Sequence, residues 1–541
     1  MNEPALRPTV ADSFSGGQTE KRRAGRERRR AGGSGTLRLG FLAGSVVLAA
    51  CRQPPARLPG YAVVGLEAAP LSFDPRVAAD ANSLLVNRLV YQGLVDYSPT
   101  GEAIPELAES WTRPDPLTYR FFLRPARFHS GEALTAQDVV ATYQSLGNPL
   151  LHAPRLAALD FVSEIVAEDE RTVRFTLREP FAPFLDAMSL GVVPARCAMD
   201  EECRVGSGPF RLADHDADRV VLARASTAEP PPRLPGIVFR VSPDSVVRAL
   251  ELARGTVDLA ENAVDPEIVD WLAGRGLEVI TTPGSTFQYL GFNLHAAPLG
   301  DVRVRRAIAL AIDRDAIIAH LLRGYARPAS QLLAPEHWAH DPGVATYGFA
   351  PERARALLDE AGFPASAADG SRFRLTYKTS TVDLRRRIAE AIAAYLQAVG
   401  IDVQIRTLEW ATLYADIRRG NFELFSLAWV GVNDPDHYFG LLHSSMTPPL
   451  GNNRGGFSSP AIDKLVSAGR REAEPARRRA IYAEIAHAAA DELPYMPLWW
   501  SANVIVKTPR LAGFVPSPTG DLRGLATAYW RDEAQPMMRP Q

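Results

Sequence analysis

Cysteine is almost missing: the chain has three in 541 residues. That excludes a disulfide framework or a cysteine-rich metal cluster as the source of stability. Two of the three, Cys197 and Cys203 in C-A-M-D-E-E-C, have a spacing that permits one small disulfide loop in an oxidising compartment. Two free thiols are the alternative. No G-x-S-x-G, H-E-x-x-H, P-loop or G-x-G-x-x-G occurs, and the ten histidines are scattered. His337 and His340 offer two imidazoles with no third ligand in view, so neither a catalytic residue, a metal nor a cofactor is expected. Gly206 and Gly208 would suit a phosphate loop, but no G-K-[ST] follows them. Excess basic charge is lacking too. The formal charge is −2, and residues 1–50 hold nine Lys/Arg against four Asp/Glu, leaving 51 against 58 in the remainder, or −7. A surface of that sign does not suit nucleic acid.

What is present is a globular composition, 46% hydrophobic and 23% charged, on a chain long enough for two or three domains, with 43 prolines marking many loops. The basic run Lys21–Arg30 precedes the apolar run Leu39 to Ala50, which is too short to span a bilayer comfortably and ends in small residues. Positive, then apolar, then small is the order of a secretory signal. Residues 52–59 read as a short proline-rich tether.

The stretch from Tyr289 to Gly324 organises the rest. Tyr289, Gly291 and Asn293 alternate with Leu290, Phe292 and Leu294, which predicts a strand covered mainly on one face. Asp301 then caps a helix whose apolar positions are Val304, Ile308, Ala311 and Ile312, with Arg303, Arg305 and Arg306 on other faces. Asp313 restarts a second short helix. Helices over 351–362, 384–399 and 475–490, with strands at 374–377 and 402–405 between them, imply an α/β unit.

The wording of this stretch, N-x-x-x-x-P-L-x-D-x-R-V-R-R-A-I-A-x-A-I-D-R from Asn293 to Arg314, resembles the signature of the extracytoplasmic solute-binding proteins of ABC importers that include dipeptide-, oligopeptide- and nickel-binding members. The resemblance runs from about Gly60 to about Trp530 and includes L-S-F-D-P at 71–75 and G-S-G-P-F at 206–210. It implies an α/β fold of the type II periplasmic-binding-protein kind, two lobes joined by a hinge with a subdomain inserted in the first. The expected boundaries are 1–50 for the signal peptide and 51–59 for lipid anchor and tether. Lobe I would comprise 60–103, 204–295 and 499–535, the inserted subdomain 104–203, and lobe II 296–498. Leu48-Ala49-Ala50 before Cys51 resembles a lipobox, in which the cysteine receives the lipid and becomes the new N-terminus.

The same resemblance implies a ligand site between the lobes. Residues after the S-F-D-P turn (Ala79, Asp80, Ala81), the strand-end Asn293, and Trp410 and Trp429 would face it. Peptide-binding relatives carry W-x-x-D, whose aspartate pairs with the peptide's α-amine; here that residue is Val432, in a loop one residue shorter. Either Asp434 or Asp436 replaces it, or the ligand is not an ordinary free peptide. Ser426 stands where the oligopeptide binder has an arginine. The implied partners are a permease and ATPase complex and a small organic ligand, a peptide foremost, with oligosaccharide, opine, metal chelate or haem as alternatives; an extracytoplasmic sensor or chaperone on the same fold is the other reading. The protein is expected to be a monomer that meets the membrane only through its lipid.

Overall fold

The computed structural model describes residues 57–151, 153 and 159–531. The expected signal peptide, the lipidated Cys51 and most of the tether lie outside the described residues.

Ala62–Leu66, A-V-V-G-L, is buried at every position, as a β-branched strand in the middle of a sheet must be. It pairs in parallel with Gly236–Val241 and, at Val64, with Leu259. Around it grows an eleven-stranded sheet. Its path runs from Phe210–His215 through Arg219–Arg224, Gly236–Val241, Ala62–Leu66 and Leu259–Glu261 to Tyr495–Lys507. It continues through Glu278–Phe292, Leu424–Trp429 and Phe373–Ser380 to Ile401–Leu408. The two longest strands, of 15 and 13 residues, are therefore central and connect one half of the sheet to the other. They are called the crossing strands below.

The first crossing strand, Glu278–Phe292, differs from its one-faced expectation. Leu290 and Phe292 are buried in one apolar cluster and Phe287 and Tyr289 in another, on the opposite face. Helices and loops cover both faces at this end of the strand, whereas Thr281 and Pro283 nearer its start are exposed. The helix after it is Val302–Ala311, with Asp301 accepting from the Arg303 amide and Val304 and Ile308 fully buried. Ile312 falls just beyond the helix. Arg305, expected off the apolar face, is nevertheless 4% exposed and donates to the carbonyls of Leu493, Leu299 and Gly300, each at 2.9 Å. Asp313 caps the second helix, Arg314–His320, by accepting from the Ala316 amide.

Residues 104–203 hold a separate four-stranded antiparallel sheet, Ala108–Asp115, Thr118–Leu123, Thr172–Leu177 and Val162–Ala167 in that spatial order. The helix Ala136–Ser145 covers it, opened by a reciprocal cap between Thr135 and Asp138. Its core is aromatic, with Phe121, Tyr143 and Phe184 gathered around Phe175. Cys197 and Cys203 are joined as a disulfide. Arg76, paired with Asp74 and almost wholly buried, donates to the carbonyls of Ala198 and Asp200 within that loop.

The crossing strands pair from Glu278 with Lys507 to Gly291 with Tyr495, but register slips between Thr282 and Thr286. Pro283, Gly284 and Ser285 are there opposed by Ala502 alone, a wide bulge in the middle of the sheet. The freed groups find other partners: the Ser285 amide donates to Pro518 at 3.2 Å and the Ala502 amide to Tyr325 at 3.0 Å.

One residue beside the crossing strands carries a pH-dependent cost. Glu261 ends the strand Leu259–Glu261, and both of its carboxyl oxygens are buried without a hydrogen-bond partner among the described residues. Burial, with Asp521 adding repulsion, pushes its pKa up to about 8. An unfolded glutamate titrates at about 4.3. Between those values the folded protein keeps a proton that the unfolded chain has lost, so stability from this group falls as pH rises through that window. Glu261→Gln is expected to raise the melting temperature more at pH 8 than at pH 5, as paired thermal melts would show.

Candidate functional site

The bulge opens onto a narrow cleft whose free interior is only about 20 Å³. Pro283 to Ser285, together with Pro518 and Thr519, form one wall. Leu332, His337, Val432 and Asn433 form the facing wall, and the turn Ser98 to Gly101 closes the end. The end turn and the second wall touch directly. The Trp338 amide donates to the Thr100 carbonyl at 2.9 Å. Gly101, at φ +79°, lies so close to the His337 ring that an added Cβ would stand 2.7 Å from it. A glycine is required there for both conformation and space.

No free charge lines this cleft among the described residues. His337 accepts from the Ala339 amide through Nδ1 and meets the Asn433 carbonyl through Nε2 at 2.9 Å, which places its proton on Nε2. Burial pushes its pKa down, so the ring is neutral. His340 is turned to the Leu333 carbonyl, and no group of three potential metal ligands gathers among the described residues. Glu336 forks onto Arg327 at 2.7 and 2.9 Å.

The residues singled out in the sequence fall in several places. Val432 is 6% exposed and lines the cleft. Asp434 makes two hydrogen bonds to Arg478, at 2.6 and 2.9 Å. Asp436 meets Arg470 at 2.9 Å, and burial pushes its pKa up to about 7 in spite of that guanidinium. Arg470 in turn lies 3.6 Å from the Phe439 ring and approaches Phe161 and Phe181, while its carbonyl accepts from the Ala182 amide. Both aspartates thus have internal arginine partners.

Trp429 stands at the end of Leu424–Trp429 with Tyr289 stacked on it at 6.3 Å, and Trp410 begins the helix Trp410–Arg418 with 48% of its surface exposed. Asp80 caps the helix Ala81–Val90 by accepting from the Ser83 amide, and Ala79 and Ala81 beside it are exposed. Asn293 spends its amide on the carbonyls of Gly420 and Phe422, at 3.1 and 2.8 Å. Ser426 is hydrogen-bonded to the Tyr377 hydroxyl. Sequence reasoning passed over His337 as a cleft wall and the bulge itself; only Pro283-Gly284, a turn dipeptide inside a strand, signalled the latter.

Comparison with known proteins places this geometry in context. A family model described as bacterial extracellular solute-binding proteins, family 5 Middle, matches residues 102–448. The chain is 26% identical over 527 residues to a dipeptide-binding protein of Escherichia coli strain K12, covering 90% of this chain and 97% of that one. It is 27% identical over 490 residues to heme-binding protein A of Haemophilus influenzae, covering 84% and 89%. Among solved structures, DppA from Helicobacter pylori in complex with the peptide STSA superposes with a TM-score of 0.76 at 25% identity, covering 87% of this chain and 98% of that one. NikA from Brucella suis in complex with Fe(III)-EDTA gives 0.79 at 25%, covering 87% and 100%.

Proposed function

Because this chain belongs to the bacterial extracellular solute-binding proteins of family 5, we propose that it captures an extracytoplasmic solute between two lobes and delivers it to the permease of an ABC importer, without transforming it. The single observation that carries this reading is the sheet itself. Among the described residues its two halves are joined through the crossing strands, and these are bulged where the first of them lines the cleft. A hinge at that point lets the ligand bias an open and a closed state. Lobe I is 60–103 with 204–295 and 499–535, of which the last few residues lie outside the described ones; 104–203 is the inserted subdomain and 296–498 is lobe II.

A short peptide is the leading ligand, supported by relatives named for dipeptide binding. One observation favours a second reading, a solute without a free ammonium: Val432 is apolar, and Asp434 and Asp436 already face arginines. In either case Cys51 is the lipid attachment point, the monomer is the working form, and no cofactor takes part. No helix among the described residues is long and apolar enough to cross a membrane.

Mass spectrometry of what co-purifies with the full chain after export, released by mild denaturation, tests the ligand class. A ladder of short peptides is the expected result. One non-peptide species would establish the second reading, and a protein empty in every preparation would count against a tight peptide binder.

A further inference from the structure

Beside the cleft runs a strip of alternating cations and aromatic rings. Trp429 pairs through its backbone with Phe287, just past the bulge, and lies three residues before the cleft residue Val432. The Arg454 guanidinium sits 4.7 Å from the centre of the Trp429 ring and 5.7 Å from that of Tyr414. Tyr414 stacks on Trp410 at 5.8 Å, and Arg385 lies 5.8 Å from the centre of the Trp410 ring. His437 packs edge-on against Trp429 at 4.6 Å, with its Nε2 buried and lacking a hydrogen-bond partner among the described residues.

The charges along this strip are not balanced from within. Arg454 donates to the Tyr289 hydroxyl at 2.7 Å and to the Asn452 amide oxygen at 3.0 Å, both neutral, and no carboxylate pairs with it among the described residues. Arg385 has no paired carboxylate there either; Glu67 acts on it from a distance. The acidic groups at the cleft show the reverse. Asp434, Asp436 and Glu336 are each met by an arginine, Arg478, Arg470 and Arg327. A partly buried guanidinium held by a phenol, an amide and two ring faces has already lost most of its water and keeps donors in a fixed fork. What completes such a group is a planar anion approaching along the rings.

We propose that Arg454, framed by Trp429 and Tyr414, anchors a carboxylate of the bound solute, so that the ligand is held by its negative end. This rests on the solute-binding reading above and names the chemistry of that site. The aromatic faces leading towards Arg385 then carry the apolar or flat body of the ligand, and a second negative group on it would meet Arg385.

The test uses full-length protein and a defined probe: a yeast-extract pool of small solutes, untreated, carboxyl-methylated or amine-acetylated. Bound species are recovered after desalting and quantified by mass spectrometry. Capture is expected to survive acetylation and to fall about tenfold or more on methylation, the scale of one charged hydrogen bond. Arg454→Gln should reproduce that fall with the untreated pool, and Arg454→Lys, which keeps charge without the fork, should retain part of the capture. Equal melting temperatures of the ligand-free variants exclude misfolding as the cause, and if Arg454→Gln does not fold, the methylation arm decides alone.

Peptides retained after acetylation and lost on methylation would support both this proposal and the peptide reading. A non-peptide carboxylate would uphold the proposal and overturn the peptide reading. Peptides lost on acetylation and kept on methylation would do the opposite. No capture from any pool would overturn both.

Discussion

Asp434→Ala is expected to lower the free energy of unfolding by about 3–5 kcal/mol, the cost of stranding one partner of a buried ion pair. Arg478 is the partner left behind. Its side chain is 9% exposed and that of Asp434 17%, and the guanidinium is packed between the Trp338 and Tyr482 rings at 5.6 and 5.3 Å. With the carboxylate gone, neither ring can neutralise it, and water reaches it poorly. Arg478→Met combined with Asp434→Ala should recover much of the loss, since an apolar pair of similar volume leaves no charge behind. Urea titration of the three variants measures both effects. The same experiment separates two roles for Asp434. A residue held in reserve for a ligand's amine would leave the ligand-free protein near wild-type stability, so a loss below about 1 kcal/mol would return Asp434 to the ligand site.

Gly284→Ala should cost about 1–3 kcal/mol, the usual range for overpacking, and weaken ligand capture as well. A Cβ on Gly284 would lie 2.2 Å from the Ser501 carbonyl oxygen, a backbone atom of the second crossing strand that has no rotamer to escape into. The strands must separate at the bulge, and the bulge forms a wall of the cleft. Gly348→Ala is the matched control, because a Cβ added there would meet nothing within 4 Å and its change should fall within about 0.5 kcal/mol. Equal destabilisation by the two substitutions, read from urea midpoints, would remove the steric argument.

The periodic and capping signals were legible because they are local. Asp301, Asp313 and the Thr135–Asp138 pair lie within three residues of the amides they satisfy, and each starts its helix where the sequence places it. The fates of the charged residues were not legible, because their partners are distant in sequence. Arg305 reaches a carbonyl 188 residues away, and the arginines facing Asp434 and Asp436 follow them by 44 and 34 residues. Asn293 and Asp80 are placed by the resemblance among ligand-facing residues, yet their visible hydrogen bonds close a strand end and a helix start. Polar residues at such ends serve the backbone first, and sequence does not distinguish that duty from recognition. Trp429 and Val432 lie beside or in the cleft because their strand ends there, a position that depends on register across the whole sheet.

Strand order also has a consequence for the birth of the protein. Leu259–Glu261 is bonded on one side to a strand made before it and on the other to residues 505–507, the last stretch of the second crossing strand. A chain emerging from its N-terminus therefore lacks the middle of its own sheet until almost everything else has been made. Until then the half-built sheet has an open edge, and long-range pairing of this kind is slow to form. A polypeptide that cannot complete itself early stays threadable, which is the condition a secretion channel requires of its cargo.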